Sequence, residues 1–222
     1  MTELDFMKMS KAQAETAGAR FTAYESFLKT RKLEHELASF EGSNFGNRTI
    51  TLPEITQYSV AAAIDSINRW RRIDPGCEIR IEINSPGGGL FPGLNLYDVL
   101  REASAQGHRI VTCAYGYAAS MAGILLQAGD DRQIAPNAFL MIHEVSSGAI
   151  GKWSEMVDEV EFMERLQKIA LSILARRSNL SVSQIKRRSA RKDWWIDAGE
   201  AVEFGFVDSI FDPDNTLHVE VE

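Results

Sequence analysis

The sequence predicts a layered α/β domain built on a mainly parallel sheet. Three observations carry that prediction. From Arg48 onward, short apolar strand-like runs alternate with segments of helical spacing in βαβα order. The chain has 222 residues, 45% of them apolar, which is enough for one domain with a real core. Finally, Asn84, Ala114 and His143 all fall at the carboxyl ends of predicted strands. Sites gather at such ends in open parallel sheets, so three distant segments can converge there.

Residues 1–47 read as a separate, charged, mostly helical arm. Phe21, Tyr24, Leu28, Leu33, Leu37 and Phe40 give an imperfect helical stripe. The arm ends in Glu41-Gly-Ser-Asn-Phe-Gly-Asn47, a turn-rich hinge. The domain proper spans residues 48–211. It begins with a strand at 49–52 that stops at Pro53, followed by a helix at 59–70 with an Ala-rich face. A strand at 78–84 leads through a glycine loop into a helix from about residue 93 to 105. Another strand, 109–114, precedes a helix at 120–128, and short strands follow near 132–135 and 139–143.

Residues 153–177 form the longest predicted helix. It carries two apolar stripes, one through Trp153, Met156, Val157, Val160, Met163, Ala170 and Leu174, the other through Phe162, Leu166, Ile169 and Ile173. That is more than a one-sided helix needs. Either both stripes pack within the chain, or one meets a partner subunit. Asp197-Ala-Gly-Glu200 has the form of a capping box, Gly205 suits a helix C-terminus, and a last strand is expected at 206–210. Residues 212–222 form an acidic tail.

Composition narrows the function classes. The net charge of −7 (24 basic residues against 31 acidic) weighs against nucleic acid as a partner. No apolar run approaches the ~18 residues of a membrane span, and residues 1–5 do not read as the start of a secretion signal. The two cysteines, Cys77 and Cys113, show no metal-ligand spacing and read as buried, reduced thiols. A cytoplasmic protein without metal or organic cofactor is expected.

The chemistry centres on Ser120. It lies among small residues between an apolar strand and an apolar helix, Ala114-Tyr-Gly-Tyr-Ala-Ala-Ser120-Met-Ala-Gly123. Free N–H groups and the positive end of the helix dipole would face a serine placed there. A serine nucleophile needs a base, and the base needs an orienting group. Of the four histidines, only His143 ends an apolar strand (Phe139-Leu-Met-Ile142) and would be held rigidly.

Among the carboxylates, Asp193 stands out. It follows a basic run and precedes Trp194-Trp195-Ile196, which should bury its surroundings. A surface ion pair with Arg191 or Lys192 is the alternative that pattern leaves open. The loop Ser85-Pro-Gly-Gly-Gly-Leu90 lets backbone N–H groups turn inward. The Gly88 amide can then pair with that of Met121 as an oxyanion hole. A phosphate cradle is disfavoured, because neither Gly-Lys-Ser/Thr nor G-x-G-x-x-G follows.

These segments resemble the Clp protease proteolytic subunit family, the ClpP-like serine peptidases. The motifs are Ile83-Asn-Ser-Pro-Gly-Gly88, Gly116-Tyr-Ala-Ala-Ser-Met121, Met141-Ile-His143 and Asp193 through Asp208, within roughly residues 48–211. The resemblance implies a ClpP/crotonase-like fold and a serine endopeptidase. It maps the nucleophile onto Ser120, the base onto His143, the acid onto Asp193 and the oxyanion amides onto Gly88 and Met121. It also implies a protruding handle, fitted by residues 148–152 and the long helix, that joins rings, usually heptamers.

Two departures from the family matter. His143-Glu144-Val145 replaces the usual His-Gln-Pro beside the substrate groove. Arg80 and Glu82 stand where Clp subunits commonly have aromatics that dock an unfolding ATPase. Charges there weaken apolar docking, so divergence from an ATPase partner is expected. Phage capsid (prohead) maturation proteases of ClpP-like type are one such group. Two other readings are a crotonase-type acyl-CoA enzyme, which needs an acid/base carboxylate in its pocket, and a catalytically silent assembly protein.

Overall fold

The computed structural model describes residues 43–44, 47–146 and 152–211. The expected arm at 1–47 therefore lies almost wholly outside the described residues, as do the acidic tail and most of the 148–152 loop. Within them the chain is α/β, as the alternation predicts. Strands β1 (Ser43–Asn44) and β2 (Thr49–Leu52) lead into helix α1 (Gln57–Ile73). Strand β3 (Ile79–Ser85), helix α2 (Leu90–Ala105), strand β4 (Ile110–Ala119) and helix α3 (Met121–Leu126) follow. Then come β5 (Asp131–Ile134), β6 (Phe139–Ile142), α4 (Trp153–Ala175), α5 (Val182–Ser189), β7 (Trp194–Ile196), α6 (Ala198–Glu203) and β8 (Ser209–Ile210).

The sheet runs β1-β2-β3-β4-β5-β8, with β6 branching from β4 and β7 pairing with β6. All pairs are parallel except β1–β2 and β6–β7. Period-2 burial explains β3: Ile79, Ile81 and Ile83 are fully buried, whereas Arg80 and Glu82 face the other side. Helix α1 starts where Thr56 and Ser59 form a reciprocal capping box, earlier than its apolar stripe suggested. Its buried face (Val60, Ala63, Ile67, Trp70) has 3.6-residue spacing. Helix α2 also starts early, because Pro92 is tolerated in a first turn that needs no N–H donor from it.

Strand β4 corrects the expected end at Ala114. Its first half pairs with β5 (Ala114↔Ile134) and its second half with β6 (Ala119↔Met141). Between them the register with β3 shifts, from Ile83↔Ala114 to Ser85↔Ala118. Gly116 makes this bulge possible. Its φ is +60°, and a Cβ there would sit 2.7 Å from Asn84 Oδ1. The strand bends, changes partner and carries on to Ser120.

Helix α4 buries only its C-terminal half: Leu166, Ala170, Leu171, Ile173 and Leu174. Trp153 is 78% exposed, and Val157, Val160, Phe162 and Ile169 are exposed as well. Among the described residues, then, neither stripe is packed along its whole length. Three elements went unread in the sequence: β1, which falls in the expected hinge, α5 and β7. Helix α5 is capped by Ser181 and Gln184 but buries only Ile185 and Ser189, so it lacks an apolar stripe. Strand β7 is too short to show a period. The expected last strand shrinks to β8, because Phe206 and Val207 turn back onto α6 through N–H bonds to Ala201 O.

Two acidic groups hold this framework and set its acid limit. Burial pushes the Asp208 carboxyl up. Hydrogen bonds from the Arg132 guanidinium and backbone N–H, with the charges of Arg132 and Arg177, outweigh burial and hold it below the usual value. Asp130 is likewise lowered: burial is overcome by the Ile110 N–H, the Ser104 hydroxyl and Arg101. A carboxyl with a depressed folded-state pKa adds stability that is complete above its unfolded value, about 3.9, and lost as pH falls through the folded one. Tm should hold on acidification to roughly pH 5 and fall below it. Asp208→Asn should lower Tm at pH 7 and flatten that acid slope; an unchanged slope would remove Asp208 from the account.

Candidate active site

Ser120 sits where β4 hands over to α3. Its backbone has φ 56° and ψ −123°, a conformation that L-residues rarely adopt. The Ser120 N–H donates to Met141 O at 2.9 Å, which ties the turn to β6. The strained step lifts the hydroxyl out of the strand and starts the helix one residue later than expected.

Sheet register brings the other two side chains to it. Strand β6 lies beside the second half of β4, and His143 follows its last residue. Strand β7 runs antiparallel to β6 with Ile142↔Trp194 paired. One step further along, Asp193 faces His143. His143 Nε2 lies 2.7 Å from Ser120 Oγ, a hydrogen bond. His143 Nδ1 lies 3.7 Å from Asp193 Oδ1, an ion-pair distance longer than a hydrogen bond.

The expectation that Asp193 would be buried is corrected. Its side chain is 58% exposed in this chain. The cause is alternation in β7: Trp194 and Ile196 turn inward, so Trp195 (and Asp193 before it) turns outward. No ion pair joins Asp193 to Arg191 or Lys192 among the described residues. The Arg191 backbone N–H instead donates to Glu144 Oε2 at 3.3 Å. Glu144 thus links the residues around His143 to the turn that carries Asp193.

The glycine loop lies against the Ser120 turn. Gly87 O accepts from Ile55 N–H, and Gly89 N–H donates to Ile55 O. The N–H groups of Gly88 and Met121 have no acceptor among the described residues. Both border the same cavity as Ser120 and His143. Gly87 has φ +103°, and a Cβ there would lie 2.7 Å from Ala119 O and 2.9 Å from Ser120 Cβ. Gly87→Ala should therefore displace the turn that presents Ser120. About 10²-fold slower modification of Ser120 by a fluorophosphonate is expected, since a shift near 1 Å costs about that much. Wild-type labelling by this variant would show that the contact is irrelevant.

The cavity holds about 250 Å³ and is walled chiefly by Leu90, Ile124, Ile142, Ala170, Leu171 and Leu174. Leu90, at the end of the glycine loop, lines it. Phe91 instead stacks on Phe162 at 6.2 Å, while Leu125 and Leu126 lie wholly within the core. No carboxylate lines the cavity among the described residues. Sequence reasoning missed Gln167, which reaches the cavity from α4 and accepts the Val145 N–H at 2.6 Å. The only sequence signal for it was Val145 itself, whose N–H needs a partner where the family's usual proline has none.

A model of the Clp protease family matches residues 40–214. The chain belongs to the Clp protease family. It is 37% identical over 140 residues to an ATP-dependent Clp protease proteolytic subunit of Bacteroides fragilis, a match covering 62% of this chain and 66% of that relative. Subunits of the same name from Bacteroides thetaiotaomicron and Porphyromonas gingivalis are each 36% identical, over 62% and 63% of this chain and 62% of their own lengths. The chain thus spans just under two thirds of the length of these curated relatives.

Within this Clp-family domain the Arg80–Glu82 surface is occupied by its own contacts. The Arg80 guanidinium donates to Tyr115 Oη (3.2 Å) and Gln133 Oε1 (3.3 Å), pairs with Glu82 (3.4 Å) and lies over the Phe211 ring at 5.2 Å. No helix among the described residues is long and apolar enough to cross a membrane.

Proposed function

We propose that this protein is a serine endopeptidase, with Ser120 as nucleophile, His143 as general base and Asp193 as the group that orients the imidazole. The observation that carries the reading is the 2.7 Å Ser120–His143 hydrogen bond at a strained turn flanked by two backbone N–H groups that have no acceptor among the described residues. An extended peptide lies beside the glycine loop. His143 Nε2 takes the Ser120 proton as Oγ attacks the carbonyl carbon, and the Gly88 and Met121 N–H groups stabilise the resulting oxyanion. Protonated His143 then gives its proton to the leaving amine. Water, deprotonated by the same imidazole, releases the acyl group. Catalytic hydrogen bonds tighten as substrate binds, so the 3.7 Å Asp193 contact should shorten in the reacting complex.

Assembly into a homo-oligomeric ring is the second part of the reading. The exposed apolar face of α4 supports it, since a helix that packs on one side only needs cover on the other. Action without a Clp ATPase is the third. Arg80 is already engaged by Glu82, Gln133, Tyr115 and Phe211, so an apolar docking loop would have to displace a charge. This favours the self-sufficient type of peptidase, of which a prohead maturation protease is one form. The acyl-CoA reading finds no support in a cavity without a carboxylate.

Fluorophosphonate labelling of wild type and Ser120→Ala, read by native and intact mass, tests the site and the ring together. Covalent addition to Ser120 in an oligomer is expected. An assembled wild-type protein that takes up no probe would instead mark a silent assembly protein, and tight ATP-dependent capture by a Clp unfoldase would overturn ATPase independence.

A further inference from the structure

Among the described residues, Gln167 is the one long polar side chain in a cavity wall otherwise made of apolar residues, Ser120, His143 and the exposed Ser146. Its carboxamide orientation follows from its partner. Val145 brings an N–H donor at 2.6 Å, so the group facing it must be the acceptor Oε1. The Nε2 amide group is left with two N–H donors and no acceptor among the described residues. Gln167 is half-buried, and the helix face around it (Leu166, Ala170, Leu171, Leu174) is packed, so its stem has little freedom.

From this geometry we infer that Gln167 sets the specificity of the cavity, selecting a substrate side chain with an unbranched apolar stem ending in a hydrogen-bond acceptor, glutamine first, at the residue on the acyl side of the scissile bond. The inference rests on the serine-peptidase reading, which makes this cavity the pocket next to the nucleophile. A purely apolar side chain entering the pocket would strip water from Nε2 and return no acceptor. A glutamine carbonyl replaces that water. The second role of Gln167 is positional: by holding Val145 it fixes the chain that follows His143.

Peptidyl diphenylphosphonates that differ only in that residue (glutamine, norleucine or lysine) test it, with the rate of Ser120 modification read by intact mass. Gln167→Leu should lower the glutamine-to-norleucine rate ratio roughly tenfold, the upper end for one neutral hydrogen bond. Gln167→Glu keeps an acceptor for Val145 but loses the donor. It should lower the same ratio and raise the lysine-to-norleucine ratio roughly tenfold, through a charge-assisted bond. Ratios unchanged in both variants, or Ser120 modified by a small fluorophosphonate but by no peptidyl probe, would overturn the pocket assignment and leave the peptidase reading standing. Failure of every probe to modify Ser120 would overturn that reading instead.

Discussion

Ser120→Ala is expected to lower kcat for peptide hydrolysis by about 10⁶-fold, the scale of nucleophile loss in a serine triad, with Tm nearly unchanged. The hydroxyl is a small group at a half-buried position, and among the described residues its side-chain partner is His143 Nε2. Its removal costs the fold little and the chemistry everything. His143→Ala should be nearly as damaging, and the double variant no worse than either, because a nucleophile without a base and a base without a nucleophile fail at the same step. Asp193→Ala should cost less, about 10³- to 10⁴-fold. Its carboxylate lies 3.7 Å from Nδ1 and is 58% exposed, so water takes over part of its work. Steady-state hydrolysis of an extended peptide gives all four values. Equal losses for Asp193 and Ser120 would mean a far tighter imidazole–carboxylate contact during the reaction. Residual hydrolysis in Ser120→Ala within tenfold of wild type would remove Ser120 from the mechanism.

Much of this site could be read before any coordinates, and the reason is local. Ser120 opens an apolar helix and His143 ends an apolar strand, and a polar residue at the end of such a run is placed by the element itself. The alternation of Ile79, Ile81 and Ile83 and the cap of α6 are likewise properties of a few neighbouring residues. What escaped was non-local. The continuation of β4 past Tyr115 depends on a change of partner from β5 to β6, which no window of sequence contains. Strand β7 owes its existence to β6, and with it came the outward turn of Asp193. Two tryptophans beside an acid suggested burial, yet in a strand adjacent side chains point to opposite faces, so only Trp194 is buried. Gln167 could not be paired with Val145 from spacing, because α4 folds back over the cavity from a different layer.

Arg132→Met should destabilise the fold by about 3 kcal/mol, the low end for breaking a buried pair, because Asp208 is a third exposed and keeps Arg177. The Arg132 side chain is 3% exposed and makes a forked pair with Asp208, Nη2 to Oδ1 at 2.6 Å and Nε to Oδ2 at 3.1 Å. Its Nη1 also donates to Gln127 Oε1 (2.8 Å) and Gly205 O (2.9 Å). One planar group therefore joins β5 to the end of α3, the end of α6 and the turn before β8. Methionine fills the space but leaves the Asp208 carboxylate, the Gly205 carbonyl and one Gln127 oxygen without that partner. Lysine should rescue only part of the loss, since an ammonium cannot serve a fork and two further acceptors in one plane.

At roughly 2–4 °C per kcal/mol for a chain of this size, Tm should fall by about 10 °C. Arg132→Met combined with Asp208→Leu should cost less than the sum of the singles, because no charge is then left stranded. Strictly additive losses would mean that Arg132 acts through packing alone. The same clamp bears on the active site, since α6 directly follows β7 and β7 follows Asp193. Loosening α6 should slow Ser120 labelling about tenfold even where the protein remains folded, as misplaced catalytic groups do. A variant with lowered Tm and undiminished labelling would show that the anchoring of Asp193 is independent of the Arg132 network.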